Sequence, residues 1–210
     1  GGVYVQYAFF ALLALYLYLR KFSAVACVAF MLSLLSSEKA TPLALLYPLY
    51  EFSYGNFRKH IKQILPFVLP TGLFAIPYIF QIGKRTEAVQ SVFYQNPGGI
   101  ENPLIQIPLA LGTYLRLLFW PDQLTIYHTE WPRLSVDLVL PFILFFVFLG
   151  ALVRTFRKNR RIFFWLALFP IALLPTLTPF RISWIVADRY SYPGSIGILV
   201  VAGMLLTNFI

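Results

Sequence analysis

Four short elements hold most of the side chains able to do chemistry. They are Ser-Glu-Lys-Ala-Thr-Pro at residues 37–42, Glu-Asn-Pro-Leu at 101–104, Leu-Leu-Phe-Trp-Pro-Asp-Gln-Leu-Thr-Ile-Tyr-His at 117–128, and Val-Ala-Asp-Arg-Tyr-Ser-Tyr-Pro-Gly-Ser-Ile-Gly at 186–197. In each, a carboxylate stands beside a cation or an amide. Carboxylates take protons and cations neutralise anions, so general-base work and anion binding are the chemistries within reach. Nucleotide hydrolysis and zinc chemistry have no support, because the chain has no phosphate-cradling Gly-rich run ending in Gly-Lys, no Gly-x-Gly-x-x-Gly and no His-Glu-x-x-His. Its two histidines, His60 and His128, lie far apart, and its single cysteine, Cys27, sits in an apolar run that excludes a disulfide framework or a thiolate metal site. Glu38 or Asp188 has no ligand spacing around it that would hold a metal, and none is expected.

The elements that must position these groups are apolar. Of 210 residues 59% are hydrophobic and 12% charged, against roughly 45–50% and 25% in a soluble domain, so the chain reads as a membrane protein. Aromatic residues make up 18%, which excludes low-complexity disorder. The sequence enters an apolar stretch at once and ends inside another, and is expected to be part of a single membrane domain, 1–210, truncated at both ends, with no secretory signal peptide.

Eight apolar runs stand out, at 3–19, 22–36, 40–54, 64–82, 104–120, 138–153, 162–178 and 195–210. A bilayer needs about 20 such residues per helix, and the runs are too uniformly apolar for the alternating strands of a barrel. The fold class expected is all-α, a polytopic helical bundle. Prolines 66, 70, 77, 141, 170 and 175 fall inside runs, where kinks are tolerated if neighbours satisfy the freed carbonyls.

The net charge is +9, from 17 Lys plus Arg against 8 Asp plus Glu. Interleaved with apolar runs, this excess speaks to bilayer orientation rather than to nucleic acid, and no nucleic-acid partner is expected. Three basic clusters, at 20–21, 58–62 and 154–161, share one side only if one run between the second and third fails to cross. The run at 104–120 is that one, since it carries Arg116, Gln106 and Thr113 between two prolines. About seven helices then span, plus one interfacial or re-entrant helix. The inner side holds ten basic residues and one acid, Glu51, while the outer side holds seven of each sign. The inner loops, with His60 among them, are read as solvated and orientation-setting. The outer loops at 83–103, 121–137 and 181–192 and the junction at Glu38 and Lys39 are where a site is expected. Trp120, Tyr127, Trp131 and Trp184 are assigned to the outer aromatic belt.

In their order the four elements resemble the membrane domain of the transmembrane and tetratricopeptide-repeat O-mannosyltransferases and their bacterial relatives, within the lipid-phosphosugar-dependent GT-C type glycosyltransferases. That family has a Lys-Glu pair after a short helix and an acid thirteen residues later. Here Glu38 takes the acid position and Glu51 lies thirteen on, with Ser37 in place of the lysine and Lys39 following. An Asn-Pro-Leu loop matches at residues 102–104, and a Leu-rich helix ends at Trp120 and Pro121. A Val-Ala-Glu-Arg-x-x-Tyr-x-Pro-Ser-x-Gly run is matched by Val186, Ala187, Arg189, Tyr192, Ser195 and Gly197, with Asp188 for Glu and Pro193 one place early. The resemblance covers roughly residues 20–205. The family's acidic pair, placed in the first outer loop, has no counterpart in the first 37 residues, and no repeat array follows.

The resemblance implies transfer of a mannose-like sugar from a polyprenyl-phosphate donor to a hydroxyl acceptor, Ser or Thr of an exported protein or a glycan, at the outer or lumenal face. The host is the bacterial cytoplasmic membrane, or the endoplasmic reticulum membrane if the source is eukaryotic. No cofactor is implied. Such a transferase needs a carboxylate base, which is expected upstream of Gly1, and Arg or Lys to neutralise the departing lipid phosphate. Arg189 and Lys39 are assigned to the donor phosphate. Glu38, Asp188, Asn102, Arg116, Tyr192 and His128 are assigned to the cavity, with snorkelling to the headgroups as the alternative for Arg116. A secondary transporter or lipid flippase, and an inactive scaffold of the same fold, are the competing readings. No internal repeat favours the transporter.

Overall fold

The computed structural model describes residues 2–93, 102–121, 136–177 and 186–207, and within them the chain is all-α, with no strand. Helices α1 (Gly2–Leu19) and α2 (Ser23–Ser36) form an antiparallel hairpin. A 3-10 helix, Glu38–Leu45, leads directly into α3 (Leu46–Ser53), and the long α4 (Phe57–Phe93) follows. Then come α5 (Pro103–Phe119), α6 (Val136–Lys158), α7 (Arg160–Leu173), a 3-10 turn at Asp188–Tyr190 and α8 (Tyr192–Thr207).

Small side chains set the closest packing. Ala8, Ala11 and Ala14 of α1 are buried, as are Ala26 and Ala29 of α2, and the buried Ser33 hydroxyl donates to the Tyr7 carbonyl at 2.7 Å. Small side chains at such a contact let helix backbones approach closely. Two glycines act likewise. A Cβ on Gly112 would lie 1.9 Å from the Pro141 carbonyl oxygen where α5 crosses α6, and one on Gly197 would lie 2.1 Å from the Trp165 carbonyl oxygen where α8 crosses α7. Helix α7 is shared between two cores. Phe164, Leu168 and Ala172 face α1 to α4, while Leu166, Phe169 and Leu173 face α5, α6 and α8.

The bundle has two distinct ends. Tyr4, Lys39 and Tyr190 meet at one, near the starts of α1, the first 3-10 helix and α8. Tyr18, Glu51, His60 and Arg161 mark the other, near the ends of α1 and α3 and the starts of α4 and α7. The segment from Glu38 to Ser53 therefore connects the two ends in two pieces, whose helical rises total about 28 Å at roughly 2.0 Å per 3-10 residue and 1.5 Å per α residue.

Several sequence expectations change here. Among the described residues two helices, α1 and Leu138–Lys158 of α6, are long and apolar enough to cross a membrane; α2, α5 and α8 are shorter apolar helices. The run at 40–54 is not one helix, because its first half adopts the tighter 3-10 form around Pro42. The expected outer loop at 83–103 is helical as far as Phe93. Polar residues end the apolar run at Gly83, yet Lys, Arg, Glu, Ala and Gln are good helix formers and carry α4 onward. One proline of α4 is compensated: Pro70 has no N–H to offer the Pro66 carbonyl, and the Cys27 thiol of α2 donates to that oxygen at 3.4 Å.

The surface between the ends is apolar. Phe9, Leu12 and Tyr16 of α1, Val25, Val28 and Leu32 of α2, and Phe146, Val147 and Val153 of α6 are all exposed.

Candidate functional site

At the Lys39 end, two segments more than a hundred residues apart converge. Ser37 is extended and caps the 3-10 helix, its hydroxyl accepting from the Lys39 N–H at 3.3 Å, and Thr41 donates to the Glu38 carbonyl at 2.6 Å. This turn chemistry aims Lys39 back over the start of α1. Its Nζ donates to the Tyr4 hydroxyl at 2.5 Å and stands 4.4 Å from the Tyr4 ring centre and 4.2 Å from that of Tyr190.

Arg189 reaches the same rings from the other side of the sequence. Its guanidinium carbon lies 5.6 Å from the Tyr4 centroid and 5.4 Å from the Tyr190 centroid, and the two rings are 5.9 Å apart. Because both cations are measured to the same centroids, their charges lie within about 10 Å of each other, roughly one Debye length at 0.1 M salt. The aromatic faces offset part of the mutual repulsion, since each presents its negative quadrupole to a cation.

The 3-10 turn bearing Arg189 is anchored from beneath. Val186 and Ala187 are fully buried, the Ala187 N–H donates to the buried Tyr114 hydroxyl of α5 at 3.1 Å, and the Ser191 hydroxyl donates to the Asp188 carbonyl at 2.7 Å. Tyr114 therefore links α5 to the loop that carries the guanidinium. Asp188, Arg189 and Tyr190 are half-buried, Lys39 likewise, and Glu38 is exposed.

Of the residues assigned from sequence, Lys39 and Arg189 come together, with Glu38 and Asp188 beside them in the chain. Asn102 is the N-cap of α5, its side-chain oxygen accepting from the Leu104 N–H at 3.0 Å. Arg116 is half-buried in the last turn of α5 and Tyr192 is exposed at the start of α8. His128, Tyr127, Trp131 and Trp184 lie outside the described residues, whereas Trp120 is exposed just past α5. Gly197, part of the matched run, is a packing residue against α7. Tyr4 was not singled out in sequence. A tyrosine at the start of an apolar run carries no signal of the two cations that meet it.

The opposite end holds a cluster that joins His60, expected in a solvated loop, to two residues of apolar runs, Tyr18 and Glu51. Glu51 is buried at 5% exposure; its Oε1 accepts from the Tyr18 hydroxyl at 2.8 Å and its Oε2 from His60 Nδ1 at 2.6 Å. This ties α1, α3 and α4 at one carboxylate. Gly55 closes the site, as a Cβ there would meet Oε2. Among the described residues no group of three or more His, Cys, Asp or Glu side chains is placed to hold a metal ion.

No family model, curated protein or solved structure matches the chain.

Proposed function

We propose that this chain is part of a polytopic GT-C type glycosyltransferase that moves a mannose-like sugar from a polyprenyl-phosphate donor to a hydroxyl acceptor, protein Ser or Thr, at the outer face of a bacterial cytoplasmic membrane. The observation that carries the reading is the meeting of Lys39 and Arg189 on Tyr4 and Tyr190, at the end of the bundle opposite the basic clusters. In a membrane, a paired cationic site at one interface suits an anionic head attached to an apolar chain.

The topology proposed has seven crossing segments, including the composite Glu38–Ser53 piece, with α5 interfacial or re-entrant. The apolar exposed faces of α1, α2 and α6 support immersion in lipid. The placement of α5 supports its exclusion from the crossing set, because its midpoint at Gly112 meets α6 at Pro141, near the start of α6 rather than its middle.

In this reading Lys39 and Arg189 hold the donor phosphate and stabilise the negative charge that grows on it as the sugar departs. The tyrosine rings keep both cations in place before the donor arrives, which lowers the ordering cost of binding. The acceptor hydroxyl must lose a proton to a carboxylate base, a role not assigned to Glu38 or Asp188, which line the cavity beside the cations.

The test is binding of undecaprenyl phosphate to the full-length protein in micelles, with sugar transfer assayed in parallel. Arg189→Gln and Lys39→Gln each remove a charge-assisted bond of about 1.5–3 kcal/mol, an expected loss of roughly 10- to 100-fold in affinity. Affinity within about two-fold of wild type in both variants, with normal protein levels, refutes the phosphate assignment. The competing transporter reading has one observation on its side, the buried Glu51 carboxylate bonded to the partly exposed His60, since ionisable groups between membrane helices mark ion pathways. It requires substrate flux that Glu51→Gln abolishes.

A further inference from the structure

We propose that the corner between α6 and α7 is a binding site for one anionic phospholipid of the inner leaflet, distinct from the donor site at the far end of the bundle. Arg154, Arg157 and Lys158 finish α6, and Arg160 and Arg161 begin α7 after a single-residue break at Asn159; all five side chains are exposed. The acid at this end, Glu51, is buried and bonded to Tyr18 and His60, so it does not offset these charges.

Hydrogen bonds tie the corner to its neighbours. Asn159 caps α7 by accepting from the Ile162 N–H at 3.3 Å, and the Tyr54 hydroxyl, which takes a bond from Trp165 Nε1 at 3.0 Å, donates to the Arg161 carbonyl at 3.4 Å. Two cations rest on aromatic rings of neighbouring elements. The Arg160 guanidinium is 4.7 Å from the Phe52 centroid, the Arg161 guanidinium is 6.0 Å from that of Tyr54, and Phe52 itself stacks on Phe156 of α6. A solvated, orientation-setting loop has no need of such placement.

The chemistry of the ligand follows from what leads to the corner. Phe146, Leu149, Val153 and Phe156 are exposed and spaced three and four apart, so they form one apolar stripe along α6 that ends among the arginines. Gly150 lies beside the stripe, and a Cβ there would meet nothing within 4 Å, so the helix surface is open at that point. An apolar stripe running into a fixed cation cluster fits a molecule with an acyl chain along the helix and a net negative headgroup at its end. A free anion would use the cations and leave the stripe unused, and a zwitterionic lipid would leave the charge unmatched.

The experiment is native mass spectrometry of the full-length protein released from mixed vesicles of phosphatidylglycerol and phosphatidylcholine, scoring retained lipid. Wild type is expected to keep one phosphatidylglycerol in preference to phosphatidylcholine. Arg160→Gln with Arg161→Gln is expected to lower that occupancy about ten-fold, while Arg20→Gln with Lys21→Gln, the same charge change at the α1–α2 turn, leaves it within about two-fold. If the first pair does not fold, Arg154→Gln with Arg157→Gln serves, since these exposed helix-end side chains reach the same headgroup, and a similar loss is expected. Equal losses from the α6–α7 and α1–α2 pairs would show diffuse charge instead of a site. That result, no lipid preference in wild type, or unchanged occupancy in the folded corner variants overturns the proposal.

Discussion

Truncating Glu51 is the sharpest test of the packing described here. Glu51→Ala removes the acceptor of two bonds at once, from the Tyr18 hydroxyl at 2.8 Å and from His60 Nδ1 at 2.6 Å. Tyr18 is only 5% exposed, so its hydroxyl is left without water or partner, a cost of about 1–3 kcal/mol. His60 is about one-third exposed and can turn to solvent, so its loss is the smaller. With the vacated volume added, the expected destabilisation is about 2–5 kcal/mol, the range for an orphaned buried hydroxyl together with a large-to-small cavity. Glu51→Gln keeps the shape and an acceptor for Tyr18 while its amide faces the imidazole, which can accept in its other tautomer, so about 1–2 kcal/mol is expected. Chemical denaturation in mixed detergent micelles, followed by near-UV circular dichroism, reads both. Adding His60→Ala to each background closes a double-mutant cycle, in which the Ala variant should lose most of its coupling to His60. The reasoning fails if Glu51→Ala costs less than about 1 kcal/mol, or if the Ala and Gln variants are indistinguishable.

Two further substitutions probe how the helices approach. Gly197→Ala sets a methyl against the Trp165 carbonyl oxygen and should destabilise by about 1–3 kcal/mol, because α7 and α8 must separate; Gly203→Ala, where a Cβ meets nothing within 4 Å, should be neutral or slightly stabilising through helix propensity. Thermal unfolding of the two variants side by side tests this, and equal melting temperatures would refute it. Cys27→Ala should cost roughly 0.5–1.5 kcal/mol by leaving the Pro66 carbonyl without a donor, whereas Cys27→Ser should retain most of the stability, and the same melts decide the order.

What the sequence settled is what local chemistry can settle. Runs of apolar residues predicted helices near α1, α2, α5, α6, α7 and α8, because a backbone shielded from water must satisfy itself within its own segment. The basic residues at 58–62 open α4 and those at 154–161 bracket the break between α6 and α7, since each charge stays near the helix terminus that bears it. Local polarity misled at residues 83–93, where a polar stretch continues α4, and at residues 40–54, where an even apolar run hides a 3-10 segment. The partnerships that matter were decided only by tertiary structure. Lys39 and Arg189 were legible separately, as cations beside acids, but Tyr4 and Tyr190 join them across 150 positions. His60 reads as part of a solvated loop and Glu51 as an acid within an apolar run, and only the fold brings His60 and Tyr18 of α1 onto the Glu51 carboxylate. A side chain's type travels with the sequence, whereas its neighbours depend on how closely helices approach, and that distance is set by a few buried alanines and glycines, Gly112 and Gly197 among them.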